Sequence, residues 1–172
     1  EKLRSTLYGA TYNYGELISL LNDETYEEYS LEVIAPNGKI IAWNKNIAIK
    51  QEDIFPFVYP IDETHFYSKG LFTHLTVIDT VKILNDVFYL IVSKPVEKHY
   101  SLQNKFYTEL SLKEELSEKF STRFELIYNP YTQPSKDGRI YSFSLLNNKQ
   151  NKIGTVSFFK PLLNVEIAGI KD

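Results

Sequence analysis

The stretch Tyr29–Asn46, YSLEVIAPNGKIIAWNKN, constrains this chain more than any other. It reads as strand, tight turn, strand. Leu31, Val33 and Ile34 precede Ala35-Pro36-Asn37-Gly38, and Ile40, Ile41, Ala42 and Trp43 follow. Pro36 presets φ for the first turn position, Asn37 tolerates the second, and Gly38 can take φ > 0 to close the hairpin. The second strand is apolar on both faces, Ile40 and Ala42 on one, Ile41 and Trp43 on the other. A strand covered on both faces belongs inside a sheet, so Ile40–Trp43 is expected there. The hairpin carries no chemistry of its own.

The residues before it show a different period. Leu3, Leu7, Ala10, Tyr14, Leu17 and Leu21 are spaced 4, 3, 4, 3 and 4 apart, the a/d seam of a helix through residues 1–22. Gly9 and Gly15 each weaken such a helix by about 1 kcal/mol relative to Ala, so packing must hold it. The seam suits first a helix lying on its own sheet, and as the alternative one that also pairs with a second subunit. Asn22-Asp23-Glu24 ends it.

After the hairpin, Pro56 and Pro60 interrupt an aromatic, acid-containing stretch, and residues 47–64 read as a long connection with one helical turn near Gln51–Ile54. Two longer strands follow, Leu71–Ile83 and Val87–Ser93, with a turn at Asn85-Asp86 and Pro95 as the stop. A polar helix is expected across His99–Phe120, with Ser111 capping its second half and Glu114 at capping-box spacing. Strands are then predicted at Arg123–Tyr128, Arg139–Leu146 and Lys152–Lys160, the last two joined across Asn147–Asn151. Pro161 ends the last strand, and Leu162–Ile170 forms an amphipathic tail. Helix, strands, helix, strands is an α+β order.

Charge and motifs exclude more than they suggest. The net charge of −3, without a basic stripe, gives no reason to expect nucleic acid as a partner. Without cysteine there is neither a disulfide framework nor a thiolate site. No apolar run approaches the roughly 20 residues that span a bilayer, and no signal peptide is present. The chain also lacks methionine, so it reads as an excised piece of a longer protein. Asp62, Glu63 and His65 could approach a metal from one loop, but their spacing matches no zinc signature, and none is expected. The serines sit in no nucleophile elbow, and the seven glycines form no phosphate loop. Adjacent carboxylates such as Glu27/Glu28 and Glu114/Glu115 point apart on a helix. Neither a catalytic residue nor a cofactor is expected.

A small-molecule pocket is the remaining chemical reading. Aromatics make up 15% of the chain, which suits a strand-rich fold whose tyrosines sit half buried. If the 47–70 stretch folds over the sheet, Trp43, Tyr59, His65, Tyr67 and His74 would bring apolar walls and a few polar tips together. Each of them also fits plain core packing, and His74 fits a buried, hydrogen-bonded histidine.

With its long leading helix and SLEVIAPNGKIIAWN, the chain resembles the extracytoplasmic Cache (PAS-like) sensor domains of bacterial sensor histidine kinases and related receptors. Leu31–Trp43 carries the likeness most clearly. Leu71–Val81 and Val87–Pro95 resemble the closing strands of such a module, and IGTVSFFKPLL a last strand leading towards a second membrane helix. The resemblance implies a signalling helix at 1–28, a sensor module at 29–97, and a connecting helix with a smaller membrane-proximal β module at 98–172. It implies an external domain anchored to a membrane, binding a small molecule or a periplasmic partner protein, and a homodimer through the N-terminal helix. The amino-acid-binding members hold a ligand carboxylate with an arginine in the distal module. Here Arg4, Arg123 and Arg139 leave none between residues 5 and 122. Lys69 or Lys94 could hold an anion only as point charges.

Overall fold

A computed structural model describes residues 11–45, 61–99, 111–135 and 137–159. Its elements are β1 (Thr11–Tyr12), α1 (Tyr14–Leu21), a 3₁₀ turn (Glu24–Tyr26), β2 (Ser30–Ile34), β3 (Ile40–Trp43), β4 (Thr64–Lys69), β5 (Phe72–Ile83), β6 (Asp86–Lys98), α2 (Leu112–Lys119), β7 (Phe124–Ile127), β8 (Ile140–Leu146) and β9 (Lys152–Phe159). The fold is α+β. The chain divides into two compact units, Glu1–Pro95 and Val96–Asp172.

The first unit is built on a sheet ordered β1-β5-β6-β2-β3, with β4 also paired to β5. The β2–β3, β2–β6 and β4–β5 ladders are antiparallel, and β1 makes a two-residue parallel pairing with Lys82–Ile83. The opening hairpin forms as its sequence dictates. Gly38 takes φ 86°, its N–H donates to the Ala35 carbonyl at 2.9 Å, and the Ala35 N–H donates to the Lys39 carbonyl at 2.8 Å. Asn44 then staples the two strands, accepting from the Leu31 N–H and donating to the Tyr29 carbonyl.

Which strand lies inside is a correction. β3 stands at the end of the sheet among the described strands, and Trp43 is 56% exposed. The interior strand is β2, flanked by β3 and β6 and buried at all five positions. Apolar content on both faces marked the wrong arm of the hairpin, because burial follows the number of neighbours and not the side chains alone.

The leading helix is a second correction. α1 spans only Tyr14–Leu21; Thr11 and Tyr12 are strand, and Asn13 starts the helix. Asn13 accepts from the Glu16 N–H at 2.9 Å while Glu16 accepts from the Asn13 N–H at 2.9 Å, a complete capping box. That cap, with the β1–β5 pairing, breaks the heptad seam at residues 11–13; Leu3, Leu7 and Ala10 lie outside the described residues. Within α1 the seam holds at Leu17 and Leu21 but not at Tyr14, which is 52% exposed. Leu17 and Leu21 are buried against Leu31, Val33, Val81, Ile83 and Leu90, a helix on its own sheet.

Two further details differ from expectation. Pro95 does not stop β6, which continues to Lys98. The ladder with β2 ends at Ser30–Ser93, so no rung with that neighbour needs a Pro95 N–H. Thr64–Lys69, read as loop, is a strand that turns at Gly70, φ 62°, and pairs with β5 from Thr64–Val77 to Lys69–Phe72.

The second unit has a three-stranded sheet, β7-β9-β8, antiparallel throughout. Ser111 caps α2 as its spacing predicts, its hydroxyl accepting from the Glu114 N–H. The same hydroxyl donates to Glu97 Oε1 at 2.8 Å, and the Tyr128 hydroxyl donates to Glu97 Oε2 at 2.9 Å. One carboxylate thus joins the end of β6, the start of α2 and the residue after β7. The Asn147–Asn151 turn is closed by Asn147 Oδ1, which accepts from the Lys149 and Asn151 N–H groups. The helical turn at Gln51–Ile54, the first half of the polar helix and the Leu162–Ile170 tail lie outside the described residues, and no described helix is long and apolar enough to cross a membrane.

Candidate functional site

The two faces of the first unit's sheet differ in chemistry. Strand alternation puts Leu31 and Val33 of β2 on the face that receives α1. Ser30, Glu32 and Ile34 point the other way. Their partners across the β2–β6 ladder are Ser93, Ile91 and Tyr89. A hydrogen bond of 3.1 Å between Thr76 Oγ1 and Ser93 Oγ carries the same face onto β5. The β4–β5 register then adds His65 opposite Thr76 and Tyr67 opposite His74.

This second face has an apolar stripe and a polar row. Ile34, Tyr67, Ile78 and Ile91 pack together, with Ile40 and Tyr89 beside them. Along them run Ser30, Glu32, Ser93, Thr76 and His65, all buried, Glu32 and Ser93 completely. A buried carboxylate or hydroxyl is costly unless it is satisfied, so such a row is a demanding feature of a sheet. Burial holds the His65 imidazole below its ordinary pKa, offset in part by the backbone and charge of Glu63; its Nδ1 lies 3.3 Å from the Glu63 carbonyl. Burial lowers His74 in the same direction. His74 stacks at a tilt on Phe72, 5.8 Å between ring centres, and its buried Nδ1 has no hydrogen-bond partner among the described residues.

Neutral imidazoles, hydroxyls and one carboxylate offer both donors and acceptors. Groups of this kind beside an apolar stripe are what a pocket for a small polar molecule would need. No group of three or more His, Cys, Asp or Glu side chains that could hold a metal gathers among the described residues.

Of the residues singled out in the sequence, His65, Tyr67 and His74 come together on β4 and β5. Trp43 does not join them. It lines a shallow groove of about 150 Å³ with Ile18, Leu21, Asn22 and Ala42. β3 is three strands from β5, roughly 14 Å at the usual inter-strand spacing. Tyr59 lies outside the described residues. Sequence reasoning missed Glu32, Thr76 and Ser93. The signal for Glu32 was a lone acid between Leu31 and Val33 in a strand that the hairpin places beside others; alternation alone assigns it to solvent.

No family model, no curated protein and no solved structure matches this chain.

Proposed function

We propose that this chain is the extracytoplasmic sensing domain of a membrane-bound receptor of the sensor histidine kinase type, and that its first unit binds a small ligand on the polar face of its sheet. The observation that carries the reading is the buried row Ser30, Glu32, Ser93, Thr76 and His65 beside an apolar stripe. A sheet that only filled a core would bury apolar side chains there. The unpartnered Nδ1 of His74 on the same face points the same way.

The layout of the sheet also supports it. A short helix leads in, the first hairpin stands at one end, and the last long strand lies in the middle between the first and the fourth of the five antiparallel strands β2–β6. PAS-like sensor modules have this arrangement. A signal would leave through the segments at either end of the chain. The fragment itself performs no catalysis on this reading; the output module is a separate part of the receptor.

The test is a thermal-shift screen of small metabolites on the 172-residue chain. A true ligand at about 100 times its dissociation constant adds about 2.7 kcal/mol of stability. The Thr76→Val variant, which keeps the shape but loses the hydroxyl, should lose that gain. Topology fusions on the full-length gene check location, with apolar segments of about 20 residues expected on both flanks. A domain found on the cytoplasmic side would sink the receptor reading.

A second reading has its own observation. Phe120, Tyr141 and Phe143 of the second unit are 57%, 44% and 52% exposed, an aromatic surface of the kind that binds proteins. On that reading the chain is a non-catalytic interaction module without a small ligand. Pull-down with a periplasmic extract that depends on Phe143, together with an empty metabolite screen, would favour it.

A further inference from the structure

We propose that the second unit carries a separate binding site, a cleft that takes a small organic anion with an apolar tail. The cleft has a volume of about 230 Å³ and is lined by Lys113, Arg123, Phe124, Glu125, Ile140, Ser157, Phe158 and Phe159. Its residues come from α2, the start of β7, and the paired strands β8 and β9.

The charge distribution singles this cleft out. Most described cations of the unit are engaged. Arg139 pairs with Asp137, Lys119 lies over the Phe120 ring at 5.8 Å, Lys152 donates to the Thr132 carbonyl, and Lys98 and Lys149 have partners of their own. Among the described residues of the unit, the cations without a partner are Lys113 and Arg123, and both line the cleft. They approach from different elements, a helix and a strand start, as a two-point clamp on one anionic group would require. A guanidinium offers a planar fork to a carboxylate, sulfonate or phosphate, and the ammonium adds a point charge.

The rest of the lining defines the tail. Ile140 and Phe159, cross-strand partners on the sheet face that also carries Glu125 and Ser157, supply an apolar wall, while Phe124 and Phe158, 5.2 Å apart ring centre to ring centre, belong to the opposite face. Glu125 repels a second negative charge, so the ligand is a monoanion with its charge at one end. At about 230 Å³ the space is smaller than the roughly 300–1,000 Å³ of pockets for drug-sized molecules. An aryl or short branched acid fits that description. The proposal does not depend on the polar sheet face of the first unit.

The test uses the whole chain and 3-phenylpropionate, with the neutral 3-phenylpropionamide as its matched control. Calorimetry should show saturable binding of the acid with a dissociation constant in or below the millimolar range, and binding of the amide at least tenfold weaker. Arg123→Gln and Lys113→Gln should each weaken the acid at least tenfold, while Arg139→Gln, whose cation is outside the cleft, should leave it unchanged. Amide chemical shifts should move at Ser157 and Phe158. Equal binding of acid and amide, indifference to both cleft variants, shifts centred elsewhere, or no saturable binding at millimolar acid would each overturn the proposal. The altered cations are exposed, so a failure of both variants to fold, seen as loss of the wild-type circular dichroism, would also overturn it by giving them a structural role.

Discussion

The two units solve opposite problems. In the first, Leu31, Val33, Ile34 and Ile91 are inaccessible, and the sheet even hides a row of polar groups. In the second, the buried side chains among the described residues are polar, Ser111, Asn147, Thr155 and Ser157, while Phe120, Tyr141, Phe143 and Phe159 stand open. Every buried apolar side chain that the described residues contain belongs to the first unit. The difference follows from layers. β2 has a strand on each side and α1 on one face, so Leu31 and Val33 leave water completely. A three-stranded sheet offers fewer neighbours, and its Tyr141, Phe143 and Phe158 rings mainly cover one another. The second unit is held instead by polar ties, at Glu97, at Asn147, and between Ser142 and Ser157.

Such a contrast should appear first in stability. Leu31→Ala removes a completely buried side chain and should cost roughly 2–5 kcal/mol. Phe143→Ala, at a half-exposed ring, should cost well under 1 kcal/mol, near the range of about ±0.5 kcal/mol for surface changes. Trp43 is the chain's single tryptophan and lies in the first unit, so its fluorescence in urea follows that unit alone. Far-ultraviolet dichroism follows both, and an earlier second transition is expected in it. An equal cost for Phe143→Ala would mean that the aromatic face is packed, and the comparison would fail.

The polar ties of the second unit set the next effect. Tyr128→Phe deletes the hydrogen bond to a charged carboxylate, worth roughly 1.5–3 kcal/mol. Burial, and then the Glu97 carboxylate, push the Tyr128 phenol well above its ordinary pKa, so the proton it donates stays in place across the usable pH range. The variant should shift the dichroism transition and leave the Trp43 fluorescence transition where it was. If both move together, the two units unfold as one.

How far the sequence reaches depends on the range of each interaction. The Ala35–Gly38 turn, the Ser111 cap and the Asn147–Asn151 hairpin were legible, because their hydrogen bonds close within four residues. The interior position of β2 was not, since it depends on β6 arriving from some 60 residues away. For the same reason the burial of Glu32 was not legible, and Trp43 was placed beside histidines that lie across the sheet. The heptad seam misled differently. Its spacing was continuous, but the Asn13–Glu16 capping box, itself local, starts a new helix inside it. Two local signals conflicted, and the hydrogen-bonding one decided, because a capping box in which the Asn13 and Glu16 side chains each satisfy one backbone N–H favours a helix start over a helix middle.

The helix starts sharpen the comparison on a smaller scale. Asn13→Ala should cost about 1 kcal/mol in the Trp43 transition, the usual value of a lost N-cap. Ser111→Ala should cost more in the second unit, because its hydroxyl both caps α2 and donates to Glu97, leaving that carboxylate one donor short. Equal costs in chemical denaturation would show that the Glu97 contact adds nothing to the cap.

The smallest effect comes from protons and belongs to the first unit. His65 and His74 have pKa values depressed below 6.5 by burial, so the folded first unit holds both neutral while the unfolded chain protonates them near 6.5. The unfolded state therefore binds more protons as pH falls through 6.5, and unfolding becomes easier. The stability contributed by keeping these imidazoles neutral is fully present above that pH and is lost progressively as pH drops towards the folded values. The Trp43 transition in urea should thus move to lower urea between about pH 7.5 and pH 5.5, the range in which histidine changes charge. His65→Gln with His74→Gln should flatten that dependence. A transition that stays put in the parent chain, or a dependence unchanged in the double variant, would show that neither imidazole is sheltered by the sheet face that the ligand reading requires.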